Sequence, residues 1–197
     1  LPLAVAALFG VGFVAGTLNV LAGGGSLLTL PLLIFLGLPP TVANGTNRVA
    51  ILAQNVAATW SFRRHGILEG GWLRLALPPA LVGAGVGTWL ATEVSDAAFQ
   101  RVLSVLMVVV SLWTLFSPVK PRTDVEARPP EGAGARALLV LAFFGVGVYG
   151  GFIQAGLGFV ILALVTGAGL DLVRGNALKV ALVLGFTPLA LAGFAWK

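Results

Sequence analysis

The chain has 197 residues, of which 58% are hydrophobic and 10% charged, and its mean hydropathy is +1.00. A soluble domain carries about 25% charged residues, so this composition excludes a water-soluble fold and predicts an all-α, polytopic transmembrane helical bundle. The absence of cysteine excludes disulfides and thiol catalysis. The net charge of +5 comes from cations in loops between apolar segments, which indicates membrane topology rather than nucleic-acid binding.

Apolar segments alternate with short polar turns along the whole chain. A full crossing needs about 20 residues, and the second and seventh segments are shorter than that. Each of these two follows a glycine cluster, which predicts half helices after a break in the chain. The predicted spans are approximately Leu3–Ala22, Ser26–Leu36, Val42–Phe62, Leu73–Thr92, Phe99–Phe116, Leu138–Ile153, Phe159–Ala168 and Val180–Trp196.

A proline-containing polar stretch divides the chain into two halves. We predict an N-terminal transmembrane repeat at 1–117, a linker at 118–136 and a C-terminal repeat at 137–197. The second repeat lacks counterparts of the fourth and fifth spans, so we expect the chain to be a partial form.

The charges of the loops predict the orientation of the halves. The linker cations and the Arg63–His65 loop are basic, whereas the loop between the fourth and fifth spans carries Glu93 and Asp96. The positive-inside rule places the basic loops in the cytoplasm. If the second segment crosses the membrane the halves are inverted, and if it is re-entrant they are parallel; we favour the inverted arrangement. The linker cations are Lys120, Arg122, Arg128 and Arg136.

Two glycine-rich stretches are the first candidates for a binding site, one at Gly12–Ser26 and the other at Gly147–Gly158. Adjacent glycines let the backbone leave helical geometry, and the helix that follows offers free N–H groups and a positive dipole end to an anion. Close helix packing through small residues is the alternative interpretation. The candidate substrate-binding residues are Asn19, Gly23, Gly24, Gly25 and Ser26 in the first copy and Gln154, Gly156 and Gly158 in the second.

Polar residues that follow each break extend this candidate site. Thr46, Asn47 and Arg48 open the third span, and Asn176 and Lys179 take corresponding positions in the second half. Polar side chains inside a span usually face the bundle interior, and the two cations suit an oxyanion. The alternative is that the cations lie at the interface and fix helix depth. No Asp or Glu lies deep in a predicted span.

In these residues the chain resembles the TauE/SafE family of membrane permeases, the sulfite-exporter-like group. The resemblance rests on the Gly12 to Gly16 opening, the triple glycine from Gly23, the Leu30–Leu33 and Gly37–Pro39 segments, and the Ala43 to Arg48 motif. It implies two homologous halves, a multi-pass protein of the bacterial cytoplasmic (inner) membrane, and transport of sulfur-containing anions such as sulfite, thiosulfate or an organosulfonate.

We therefore predict a transporter of small sulfur-containing oxyanions with its site near mid-membrane, between the two breaks. A passive anion channel and a non-transporting membrane subunit of a sulfur-metabolism enzyme are the alternatives. No catalytic constellation, metal cluster or cofactor motif is found in the sequence, so we expect neither enzymatic activity nor a cofactor. The expected partners are a small anion, the lipid bilayer and a second copy of the chain, without nucleic acid.

Overall fold

The computed structural model describes residues 2–21, 23–116 and 129–196, and most of these residues belong to eight helices. Four of these helices, α4, α5, α6 and α8, are long and apolar enough to cross a membrane, which confirms the predicted all-α membrane fold. The predicted linker cations Lys120, Arg122 and Arg128 lie outside the described residues. The helices are α1 (Pro2–Leu21), α2 (Ser26–Phe35), α3 (Pro40–Arg64), α4 (Gly70–Glu93), α5 (Asp96–Phe116), α6 (Ala133–Phe152), α7 (Leu157–Gly167) and α8 (Leu172–Trp196).

The last helix differs most from the sequence prediction. It begins at Leu172 and not at Val180, so Asn176 and Lys179 are helical residues rather than residues of the preceding loop. Asp171 accepts hydrogen bonds from the backbone N–H groups of Val173 and Arg174, and these bonds start the helix early. The first turns of α8 contain polar residues, so a prediction from apolar residues alone placed the start of this helix too late.

Both predicted helix breaks are present, but each is shorter than the glycine-rich stretch from which it was predicted. Gly23 and Gly156 have positive φ angles of 86° and 70°, a conformation that glycine adopts without steric cost. The earlier glycines of each stretch, from Gly12 in the first and Gly147 in the second, are helical. The second break therefore occupies Ile153–Gly156, after the Gly147 to Gly151 run and not within it.

The first half helix folds back along the helix before it. Gly25 packs against the carbonyl of Ala15, and Leu32 and Phe35 share a groove with Gly10 and Val11. The helix α2 is therefore antiparallel to α1, and the pair returns to the end of the bundle from which it starts.

The long helices α3 and α8 cross the bundle in opposite directions. Thr41 near the start of α3 binds Asp96, and Gly45 lies beside Phe194 near the end of α8. We call this the acidic end of the bundle. At the opposite, basic end, Arg174 near the start of α8 forms an ion pair with Glu69, at a distance of 3.4 Å. Helices α3 and α8 are therefore antiparallel in the bundle. The inverted arrangement of the halves, with a second segment that crosses the membrane, stays a prediction.

Glycines join the two halves most closely between α4 and α6. A Cβ atom built on Gly87 would lie 2.8 Å from the carbonyl carbon of Val148, and one built on Gly151 would lie 2.8 Å from the Cα of Ala84. Such spacing lets two helix backbones touch, and dispersion and weak Cα–H contacts then stabilise the pair in a membrane. The small-residue interpretation of Gly147 and Gly151 is therefore confirmed, and it holds α6 where the second break begins.

Candidate functional site

The two helix breaks meet each other in the interior of the bundle. A Cβ atom on Gly23 would lie 2.9 Å from the carbonyl carbon of Gly158, and Gly24 lies against the ring of Phe159. The start of α7 thus packs directly on the break between α1 and α2. Only glycine at these positions allows the two backbones to approach so closely.

A small polar cavity lies where the breaks meet, and we call it the central cavity. Its volume is about 20 Å³, which is room for about one water molecule. It adjoins α3 near Ile51 and α8 near Val183, each close to the middle of its 25-residue helix. The cavity therefore lies near the middle of both helices. Its lining residues are Asn19, Gly23, Ile51, Asn55, Gln154, Leu157, Gly158, Lys179 and Val183.

At the first break, side chains of the protein form the hydrogen bonds that were predicted to be open to an anion. The backbone N–H of Gly25 donates to Oδ1 of Asn19 at 3.2 Å, and Nδ2 of Asn19 donates to Oε1 of Gln54 at 3.3 Å. Asn47 donates to the hydroxyl of Ser26 at 3.0 Å and accepts from Thr29 at 2.6 Å. This amide network holds the N-terminus of α2 on α1 and α3.

The second break keeps an unused acceptor. Nε2 of Gln154 donates to the hydroxyl of Thr187 at 3.0 Å, while its Oε1 is buried without a hydrogen-bond partner. Gly156 lies at the N-cap of α7 against the side chain of Val110. A buried polar atom without a hydrogen-bond partner costs about 1–3 kcal/mol. Binding of a ligand at this amide, or rotation of the amide, would therefore recover free energy.

Two cations cross between the halves and hold the opposite broken helix. Nζ of Lys179, on α8, donates to the carbonyls of Asn19 at 2.9 Å and Val20 at 3.0 Å, at the end of α1. Nη2 of Arg48, on α3, donates to the carbonyls of Gly151 at 2.7 Å and Phe152 at 3.5 Å, at the end of α6. Each cation thus sits at the negative end of a helix dipole and satisfies carbonyls that a helix leaves free. Neither is an interfacial anchor.

The interior consequently carries positive charge without a buried carboxylate. Lys179 is 2% exposed and Arg48 is 0% exposed, and they are the charged side chains among the buried residues that the structure describes. Arg174, near the start of α8, forms ion pairs with Glu69 and Asp171. Helix carbonyls compensate the two charges only in part, because a dipole end carries roughly half an elementary charge. An anion inside the bundle would complete the compensation.

The structure brings part of the predicted site together and separates the rest. Asn19, Gly23, Gln154, Gly158 and Lys179 line the central cavity. Next to it are Gly24, Gly25, Ser26 and Asn47, which shape the first break, and Gly156, which shapes the second. The other three predicted residues do not line the cavity. Arg48 binds the end of α6, and Thr46 is exposed. Asn176 has a buried Oδ1 without a hydrogen-bond partner.

Sequence reasoning did not include Asn55 and Ile51 in the site. Asn55 bonds to the carbonyl of Ile51 within α3 at 2.8 Å, and both line the central cavity. An asparagine in mid-span was a usable signal, since polar side chains there usually face the interior. The apolar wall residues gave no signal, because nothing distinguishes them from lipid-facing residues in the sequence.

This fold is that of a multi-pass helical membrane protein with broken helices that meet inside the bundle, an arrangement typical of secondary transporters. The family described as "Sulfite exporter TauE/SafE" matches residues 8–197, and the chain belongs to this family of membrane transporters.

Three named relatives are of the same kind. A probable membrane transporter protein of Haemophilus influenzae is 34% identical over 97% of this chain and 72% of its own length. The probable membrane transporter protein ORF9 of Sinorhizobium is 32% identical over 88% of this chain and 65% of its own, and YfcA of Escherichia coli is 30% identical over 89% and 64%. The chain thus spans about two thirds of these relatives. No solved structure matches it significantly.

Proposed function

We propose that the protein is a carrier of small sulfur-containing oxyanions, such as sulfite, across the bacterial inner membrane. The observation that carries the proposal is the pair of buried cations, Arg48 and Lys179, with no carboxylate among the buried side chains that the structure describes. A buried charge is retained when something compensates it, and a transported anion would do so here. The name of the family supports sulfite as the first anion to test.

Lys179 is the cation that would meet the substrate in the central cavity. It lines the cavity together with the amides of Asn19, Asn55 and Gln154. The amides would donate hydrogen bonds to the oxygens, and the ammonium would supply the opposite charge. Arg48, one break away, would add positive potential. We keep the glycines, Ser26, Thr46, Asn47 and Asn176 as secondary candidates. The backbone N–H groups of Leu27, Leu28 and Phe159 bond to carbonyls of the breaks, so they would reach the anion only after the breaks rearrange.

A carrier mechanism follows from the size of the cavity. A volume of about 20 Å³ holds one water molecule and not an anion with three oxygens, so the arrangement is closed. The backbones of the two breaks must separate before the anion can bind. Rocking of one half against the other, with the breaks as the contact, would open the cavity to each side in turn.

The direct test is uptake of radiolabelled sulfite, thiosulfate and taurine by proteoliposomes that contain the full-length protein. Lys179→Gln keeps a donor for the carbonyls of α1 and removes the charge, so we expect uptake to fall at least tenfold while the protein stays folded, with a stability loss like that of Arg48→Gln. Lys179→Arg should retain much of the activity. The exposed Arg63→Gln is the control and should transport normally.

The same assay separates a carrier from a channel. A carrier saturates with substrate and is accelerated by anion on the opposite side, whereas flux through a pore rises in proportion to concentration. Normal uptake by Lys179→Gln, or by a protein with Asn47→Ala and Arg48→Ala together, would overturn the assignment of the site.

A further inference from the structure

Arg48 has binding capacity that the fold does not use. Its guanidinium carries five N–H donors, of which Nη2 binds the end of α6. Nε and Nη1 are buried without hydrogen-bond partners, and Oδ1 of the neighbouring Asn44 is also unpaired. A fully buried cation with two unsatisfied nitrogens is a costly arrangement, which suggests a ligand in another state of the protein.

A large groove reaches toward this cation from the acidic end of the bundle. We call it the Phe194 groove; it has a volume of about 650 Å³ and lies between the start of α3, the α4–α5 turn and the end of α8. Its polar wall includes the hydroxyl-bearing residues Thr41, Thr46 and Ser95. The carboxylate of Asp96 in this wall accepts bonds from the backbone N–H and hydroxyl of Thr41 at the N-terminus of α3, which offset its charge.

One aromatic ring separates the groove from the cation. Phe194 lines the groove, and its ring centroid lies 4.9 Å from Cζ of Arg48, in cation–π geometry. Gly45 also lines the groove, and a Cβ atom built on it would lie 3.5 Å from Cβ of Phe194. Movement of this ring would open a path from the groove to the guanidinium of Arg48.

The geometry points to a second anion site at Arg48 that is distinct from the central cavity and gated by Phe194. This site receives the substrate from the acidic end. The inference rests on the proposed oxyanion transport. The incoming anion replaces the ring as the partner of the guanidinium, and the ring closes again after the anion passes inward. Thr46, predicted as a substrate-binding residue but distant from the central cavity, then lies on the approach to this outer site.

The test is the rate of binding of radiolabelled sulfite to the purified full-length protein, measured by rapid mixing and filtration. A cation–π contact contributes about 0.5–2 kcal/mol, so Phe194→Ala should accelerate association and dissociation about 2- to 30-fold. Phe194→Trp keeps the contact and should bind no faster than the unmodified protein. Phe13→Ala removes an exposed phenylalanine of α1 and should change neither rate.

A double-mutant cycle distinguishes a gate from general loosening of the bundle. In an Arg48→Gln background, Phe194→Ala should no longer change the rates, because the ring has no cation to cover. Phe194→Leu, which keeps a large apolar side chain but removes the aromatic face, serves if the alanine variant unfolds. If Phe194→Ala leaves the rates unchanged, or accelerates them equally in the Arg48→Gln background, Phe194 is not a gate. Either result would leave the proposed transport function intact. Absence of sulfite binding by the unmodified protein would reject the proposed function and this inference with it.

Discussion

Replacing Gly23 by alanine tests the contact on which the central cavity depends. The new Cβ would lie 2.9 Å from the carbonyl carbon of Gly158 and closer still to its Cα, and these backbone atoms cannot rotate away. The φ angle of +86° adds strain for any residue with a Cβ. Left-handed backbone costs about 1–2 kcal/mol and overpacking about 1–3 kcal/mol, so we expect the free energy of unfolding to fall by about 2–5 kcal/mol.

Two other glycines of the same half separate these two costs. Gly37 has a φ of +95° and open space around its Cβ position, so Gly37→Ala should cost only the strain, about 1–2 kcal/mol. Gly12 is helical with open space, so Gly12→Ala should be neutral or stabilising by up to about 1 kcal/mol. The assay is reversible unfolding in detergent, followed by sulfite uptake. Equal losses for Gly23→Ala and Gly37→Ala would show that the breaks do not touch.

Three further predictions concern the elements that hold the site. Arg48→Gln should lower the free energy of unfolding by about 1.5–3 kcal/mol, measured by denaturant titration, because the end of α6 loses a charged donor; a loss below about 0.5 kcal/mol would contradict the capping role. Gly87→Ala should destabilise the α4–α6 contact by about 1–3 kcal/mol in thermal unfolding, while Gly85→Ala, whose Cβ would have only a distant contact, should not. Asp96→Ala should cost about 1 kcal/mol through the lost bonds to Thr41, and an unchanged melting temperature would refute it.

The cross-capping by the two cations changes how the charges of this protein are understood. From sequence, Arg48 and Lys179 were either substrate ligands or interfacial anchors. In the structure each first serves the fold, since it binds the carbonyl end of a helix from the other half. A cation in this position could exchange a carbonyl for an anion oxygen without leaving the interior. Substrate binding and separation of the halves would then be coupled.

Sequence predicted the helices well because the bilayer imposes a simple rule on the backbone. Apolar length marked the spans, and the short segments Ser26–Leu36 and Phe159–Ala168 agree closely with α2 and α7. The rule failed where burial within the protein replaced exposure to lipid. Trp72 borders the predicted fourth span, where tryptophan is expected at the interface with water. It is instead 0% exposed in the core, since the sequence does not show which face of a helix meets protein.

The site was predictable in its kinds of residue and not in its partners. Glycine clusters, in-span amides and isolated cations are costly in a membrane, so their presence alone indicated function near the breaks. That Gly23 would meet Gly158, and that each cation would cross to the opposite half, depends on contacts between residues far apart in the chain. Local pattern sets where a helix breaks because glycine frees the backbone there. Only the packing of the helices against one another decides what each break faces, because that packing is a property of the whole bundle.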